Sequence, residues 1–128
     1  MSVAHSRNAS LVLGQQTEKT ADYTVVVVTD SGKVFSSTLD GITYTLPAIA
    51  AGEVYTFINN AEDGAAALNI SPNASDGIMY AGSNTDDKDL INTKATAKKG
   101  DYVTIKSSEA GTVAWQVVAA RGIWAKEA

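Results

Sequence analysis

DSGKVFSSTLDGITYTLPAIAAGEVYTFI, running from Asp30 to Ile58, holds three short β-prone runs separated by turn chemistry. Asp30-Ser31-Gly32-Lys33 predicts a tight hairpin between two strands, because glycine takes the positive φ that such a turn needs. Ile42-Thr43-Tyr44-Thr45-Leu46 alternates large side chains with threonine hydroxyls until Pro47, which has no amide donor to continue a ladder. Gly52 opens the next run, and Asn59-Asn60 closes it after Val54-Tyr55-Thr56-Phe57-Ile58. The stretch contains no acid–base pair, nucleophile or metal cluster. It reads as a scaffold, and it directs attention to surfaces and assembly before chemistry.

The same pattern continues outward. Tyr23 to Val28 lacks alternation, and its four consecutive valines predict a strand covered on both faces, inside a sandwich or at a subunit interface, and with it a compact trimer. Ala65 to Ile70 and Asp76 to Tyr80 read as further short strands, and Gly82 to Asp89 as a polar surface loop. Asp101 to Lys106 alternates, Ser107 to Gly111 turns the chain, and Thr112 to Ala119 alternates again, which predicts a hairpin. Trp115 shares a face with Val113 and Val117 and belongs to the core, while Gln116 points the other way. Regular turn spacing without helical periodicity defines an all-β chain: a single β-sandwich domain, jelly-roll-like, with a barrel as the alternative.

Two units are expected, an extended N-terminal arm over residues 1–20 and the β-sandwich domain over 21–128. The arm is polar apart from Leu11, Val12 and Leu13, three large aliphatic side chains suited to capsid or subunit contact or to adding a strand to a sheet. Trp124 lies beyond the last hairpin and must either tuck under the sheet edge or contact another subunit.

Composition narrows the class. A chain of 128 residues suits one domain that buries roughly two-thirds of the surface its unfolded form exposes. Apolar residues at 45% and charged ones at 19% exclude disorder throughout and fit a sheet protein with Thr, Ser and Asn outside. The net charge of −4 and the scattered lysines provide no basic stripe for a phosphate backbone, so nucleic acid is not the expected partner. Cysteine is absent, which removes disulfides and thiolate chemistry together. MSVAHSRNAS has neither the basic nor the apolar region of a secretion signal, and no apolar run is long enough to cross a bilayer, so synthesis in a cytoplasm without membrane insertion is expected. The triplets beginning at Asn8, Asn69 and Asn73 match the glycosylation pattern but are assigned no function on that account.

Candidates for chemistry are weak. Asp86-Asp87-Lys88-Asp89 offers oxygen ligands, yet Lys, Leu and Ile stand where a calcium loop wants donors, so no metal site is assigned. His5 lies in the arm, where a catalytic triad would have to be assembled from a flexible terminus. Glu53, Glu62, Asp63, Asp76 and Asp101 include no pair that sequence alone can bring together, and most flank turns. Tyr44, Tyr55, Tyr80, Tyr102, Trp115 and Trp124 could stack on sugar rings, although the strand positions of most of them make packing the first expectation. No catalytic residue and no cofactor is expected.

The succession Asp-x-Gly-x-x-Phe at Asp30 to Phe35, Ile-Thr-Tyr-Thr-Leu-Pro-Ala at Ile42 to Ala48, Gly-x-x-Tyr-x-Phe at Gly52 to Phe57, Ile-x-Pro at Ile70 to Pro72 and Gly-x-Trp at Gly122 to Trp124 resembles small β-sandwich virion proteins of tailed bacteriophages. Capsid decoration, or cement, proteins are the nearest fit, over about Asp22 to Trp124. The resemblance implies a homotrimer made in the host cytoplasm that binds the major capsid protein on the outer surface of a phage head and stabilises the lattice. Related modules occur in tail fibres and tail spikes, which gives the alternative of binding a host-surface glycan.

Overall fold

The computed structural model describes residues 16–50, 52–83, 85–107 and 115–128. In chain order the strands are β1 Gln16–Glu18, β2 Tyr23–Thr24, β3 Val34–Ser37, β4 Ile42–Thr45, β5 Val54–Asn59, β6 Leu68–Ser71, β7 Ile78–Met79, β8 Leu90–Asn92, β9 Asp101–Lys106, β10 Trp115–Arg121 and β11 Trp124–Lys126. They make a sandwich of a six-stranded sheet, ordered β1-β3-β5-β9-β10-β7, and a five-stranded sheet, ordered β11-β8-β6-β4-β2. No α-helix occurs among the described residues; the one helical turn is a 3-10 turn at Lys94–Thr96. The all-β sandwich is therefore the fold. Leu11, Val12 and Leu13, expected to make capsid or subunit contact, lie outside the described residues. Gln16–Glu18, the end of the expected arm, is an edge strand of the larger sheet, paired with β3.

The winding has two regimes. β1, β3 and β5 are parallel neighbours in one sheet, and β2, β4 and β6 are parallel neighbours in the other. The chain thus crosses the sandwich at every link from β1 to β6, and strands adjacent in sequence face each other across the core instead of pairing. From β8 onward pairing is antiparallel, with β8 on β6, β9 on β5, β10 on β9 and β11 on β8, except for the short parallel contact of β10 with β7 at Trp115 and Gln116. The antiparallel Greek keys of a jelly roll are absent from the first half. Alternation in a sequence fixes which side chains face the core, but it does not say which strand lies alongside.

Two expectations change with this winding. Asp30 to Lys33 is a turn, but it carries the chain from one sheet to the other and joins no hairpin. The valine run is a strand only at Tyr23–Thr24. Val25 is buried, while Val26 and Val28 are exposed, and Val28 has φ 68°, a strained setting for a β-branched residue. Buried Asp30 holds the excursion: one carboxylate oxygen accepts the Tyr23 hydroxyl at 2.7 Å and the Val26 N–H at 2.8 Å, and the other accepts Lys33 Nζ at 3.2 Å. The hydrogen bond to Asp30, then burial, push the pKa of the Tyr23 hydroxyl up to about 12.

A parallel winding leaves corner amides that no ladder strand reaches, and carboxylates from adjacent turns accept them. At one end of the sandwich, Thr43 N–H donates to Asp22 at 2.9 Å, Ala67 N–H to Asp40 at 2.8 Å and Lys99 N–H to Asp63 at 2.9 Å. Elsewhere the direction along the chain reverses, and earlier amides reach later acids: Val28 N–H donates to Glu53 at 3.2 Å and Ile49 N–H to Asp76 at 3.0 Å. These acids bind turn to turn.

Between the sheets the core is aromatic in the parallel half. Phe35 of β3 stacks on Phe57 of β5 with ring centroids 5.7 Å apart, and Tyr44 of β4 meets Phe57 at 4.9 Å across the sandwich. Each such pair adds about 0.5–1.5 kcal/mol beyond its buried area. Trp115 packs against Tyr55 at 5.6 Å and closes the core toward β10. A buried polar chain ties the two regimes together. Asn59 at the end of β5 donates to Asn92 of β8 at 2.8 Å and to Ala66 O, and Asn92 donates to Asp101 of β9 at 3.2 Å and to Ile123 O. Lys98 N–H also donates to Asp101, at 2.9 Å. Gly122 passes over this carboxylate with φ 97°, and an added Cβ would collide with it.

Candidate interaction surface

The outward sides of the two sheets differ in chemistry. On the five-stranded sheet, Thr24, Thr43, Thr45, Asn69 and Ser71 face outward, a surface suited to water. On the six-stranded sheet, register and alternation carry Gln16, Val34, Thr56, Thr104 and Ala119 across one row of the outer face. A second row runs Glu18, Ser36, Ile58, Tyr102 and Arg121. The side chains confirm the shared face: Gln16 Nε2 donates to Ser36 Oγ at 3.2 Å, and the Thr56 and Thr104 hydroxyls are bonded at 2.9 Å. Along the second row the residues between Glu18 and Arg121 carry no charge and Ser36 is buried; Val34, Val54, Ile58 and Tyr102 are half-buried on the face, and Lys106, opposite Val54, is exposed on it.

β10 borders this face with an open edge. β7 pairs only with Trp115 and Gln116, so among the described residues Val117 to Arg121 have a partner strand on the β9 side alone. The register shifts between Val117 and Ala119, and Val118 at this bulge is 53% exposed. Ile123, 60% exposed, follows in the turn to β11. A bulged edge of small residues ending in Arg121 is accessible to another chain while being twisted away from flat edge-to-edge pairing.

Trp124 takes the first of its two expected places. It is buried as part of β11, belongs to the core cluster, and donates its indole N–H to Arg121 O at 2.9 Å. Subunit contact by its ring is thereby removed. Tyr44, Tyr55 and Trp115 are buried as well, which leaves the half-buried Tyr80 and Tyr102 of the proposed sugar platform.

The acids considered for catalysis are spread over the molecule, and all but Glu62 accept backbone amides. Glu53 precedes β5 and Asp101 opens β9 beside the far end of β5, which separates them by about 20 Å along the strands. Glu53 is buried, accepts the Tyr55 hydroxyl at 2.5 Å and the Val28 N–H, and drives the Tyr55 hydroxyl upward together with burial, burial being the larger cause. It lines a cleft of about 380 Å³ with Gly52, Val54, Lys106 and Ser107. Glu62 and Asp63 pair with Lys99 and Lys98, while Asp76 is bonded to Ile49 N–H.

The acidic loop is docked, not free. Asp87 N–H donates to Asp76 O, Asp89 N–H to Glu127 at 3.0 Å, and Lys126 Nζ bonds Ile78 O and Lys88 O. Burial first, then the charges of Glu127 and Asp87, raise the Asp89 carboxyl above its ordinary range against the Ser71 hydroxyl and Lys126. Among the described residues no cluster of three His, Cys, Asp or Glu has the spacing to hold a metal.

Sequence reasoning missed the open edge of β10, because the bulge at Val118 interrupts no visible alternation. No family model and no curated protein matches the chain.

Proposed function

We propose that this is a structural virion protein that binds the major capsid protein on the outside of a phage head and stabilises the lattice. One observation carries the reading: Glu53, Asp63, Asp76 and Asp101 are spent on holding backbone amides, while the middle of the outer face of the six-stranded sheet, around Val34, Thr56, Ile58 and Thr104, is uncharged and β-branched. A molecule organised this way acts through contact area. Many modest contacts repeated over a lattice add up by avidity. The strand signposts shared with decoration proteins support the same class, and nothing in the proposal requires a cofactor or a catalytic group.

Purified protein mixed with undecorated mature heads is expected to co-sediment at micromolar concentration. Removal of residues 1–15 leaves every described strand in place, so the melting temperature should hold while head affinity falls; extending the deletion through Glu18 removes β1 and should lower both. Absence of co-sedimentation, with binding to tail components or to a glycan array that Tyr102→Ala abolishes, would replace the head reading by a tail-fibre or tail-spike module.

A further inference from the structure

We propose that the protein seats on the head with one end of the sandwich, through the apolar crossings from β2 to β3 and from β4 to β5, and that Val26 and Val28 are its anchors in an apolar recess of the capsid subunit. This rests on the capsid reading above and adds to it which end of the molecule faces the lattice. β3 and β5 run parallel and start at that end, β9 finishes there with Lys106 opposite Val54, and β1 enters there with Gln16 opposite Val34.

The two ends differ in what their crossings carry. Val25 to Thr29 and Leu46 to Ala50 contain no charged residue. At the opposite end the crossings from β3 to β4, β5 to β6 and β8 to β9 carry charges that pair among themselves: Lys94 with Asp40 at 3.0 Å, Lys98 with Asp63 at 3.8 Å and Lys99 with Glu62 at 3.1 Å. Exposed paired charges are suited to water, and seating that end would strip them of solvent. Around the apolar crossings the acids are engaged in the fold. Asp30 bonds Lys33, and Glu53 and Asp76 accept the N–H of Val28 and Ile49. Lys106 stands exposed beside them, and the acidic loop docks on β11, at the far border of its sheet from β2.

Val28 is 76% exposed at a φ of 68°, so the chain holds a β-branched residue in a strained setting and shows its side chain to solvent. Two buried acids fix it there: Asp30 accepts the Val26 N–H and Glu53 the Val28 N–H. Strain over-determined in this way, presenting two apolar side chains within three residues, points to a contact built for a partner. Leu39 and Ile123 are exposed at the opposite end, but each stands singly and neither has a positive φ. The apolar crossings also meet the outer face of the six-stranded sheet at half-buried Val34 and Val54, and residues 1–15 join the domain at this same end. Anchors, face and arm therefore address one capsid surface.

Undecorated mature heads titrated with wild-type protein and exposed-site variants, with co-sedimentation measured beside thermal melting, test this. Val28→Gly removes an anchor and puts glycine at a φ it readily adopts, so it should melt at or above wild type while head affinity falls about tenfold or more. Val26→Ser should lower affinity by a similar factor with melting unchanged, and Leu39→Ser at the opposite end should leave affinity as it is. If wild type binds and Val28→Gly and Val26→Ser bind equally well, or if Leu39→Ser is weakened as much as they are, the inference is overturned and the capsid reading stands. Wild-type protein that does not co-sediment removes both.

Discussion

The half of the chain from β1 to β6 and the half from β8 to β11 solve the same problem differently. In the parallel half, partners are a full turn of winding apart, and corner amides are met by carboxylates belonging to another turn, as with Asp40 and Ala67 N–H. In the antiparallel half, β9 and β10 are consecutive strands that pair with each other, and β11 returns to β8. Parallel winding needs side-chain acceptors at its corners because it forgoes hairpins. The Asn59-Asn92-Asp101 chain sits where one regime hands over to the other.

That junction is where the largest loss is expected. Asp101→Ala removes the acceptor of Lys98 N–H and Asn92 Nδ2 inside the protein, which costs about 1–3 kcal/mol for each donor left unpaired. Asp101→Asn keeps an acceptor and should lose less. Gly122→Ala should destabilise by a similar amount through its positive φ and its collision with the Asp101 carboxylate. Urea unfolding of the three variants checks the order. If Asp101→Ala unfolds at the wild-type midpoint, the two halves are not coupled there.

The corner acids should be individually smaller and collectively visible. Asp40→Ala is expected to lower the melting temperature less than Asp101→Ala does, and Asp40→Asn less still, because the amide oxygen can go on accepting Ala67 N–H. The pH dependence has a definite sign. The Ala67 N–H, followed by Lys94, holds the Asp40 carboxyl below its ordinary range. Asp30 is also lowered: burial works against it but is outweighed by the Tyr23 hydroxyl, the Val26 N–H and Lys33. Groups with depressed values contribute stability above the unfolded carboxylate range, about pH 4, and that contribution is lost as pH falls through their folded values. Melts between pH 7 and pH 2 should fall steeply at the acid end, and Asp40→Asn should flatten part of the fall. A curve identical to wild type would remove Asp40 from the account.

How far the sequence spoke for itself also divides at this boundary. Asp101 to Lys106 and the Trp115, Val117 and Gln116 parity were legible because β9 and β10 each have one face on the core, and the structure bears out that inside–outside assignment. The strands at Val34–Ser37, Ile42–Thr45 and Val54–Asn59 were legible too. Their parallel partnership was not, since period-two alternation is the same for either neighbour. The recurring Asp-Gly at Asp40, Asp63 and Asp76 was an available sign of repeated corners, but it reads equally as ordinary turn chemistry. Val25 to Val28 misled because β-branched propensity is overridden when Asp30 and Glu53 capture the backbone amides of Val26 and Val28. The shared outer row was hidden for a related reason: Glu18 and Arg121 are far apart in the chain and share a row only through four strand pairings.

The smallest expected effect sharpens the contrast from the other side. Asp89 lies against the C-terminal strand, and its folded carboxyl is raised chiefly by burial, with Glu127 and Asp87 adding to the rise. Unlike the corner acids, it is a carboxylate whose charged form the fold disfavours. Its contribution is therefore present below the ordinary aspartate range and is lost as pH rises through the raised folded value. Asp89→Asn removes that loss and leaves the backbone N–H of residue 89 free to donate to Glu127 as before. At pH 7 the variant should melt slightly above wild type, and the gain should vanish on acidification below about pH 4, where the wild-type carboxyl is itself protonated. Asp40→Asn should do the reverse across the same titration. Scanning calorimetry of the two variants side by side would give curves that diverge in opposite directions from wild type. If both move the same way, the difference between an acid that accepts a corner amide and one pressed against other acids does not govern this fold's response to pH.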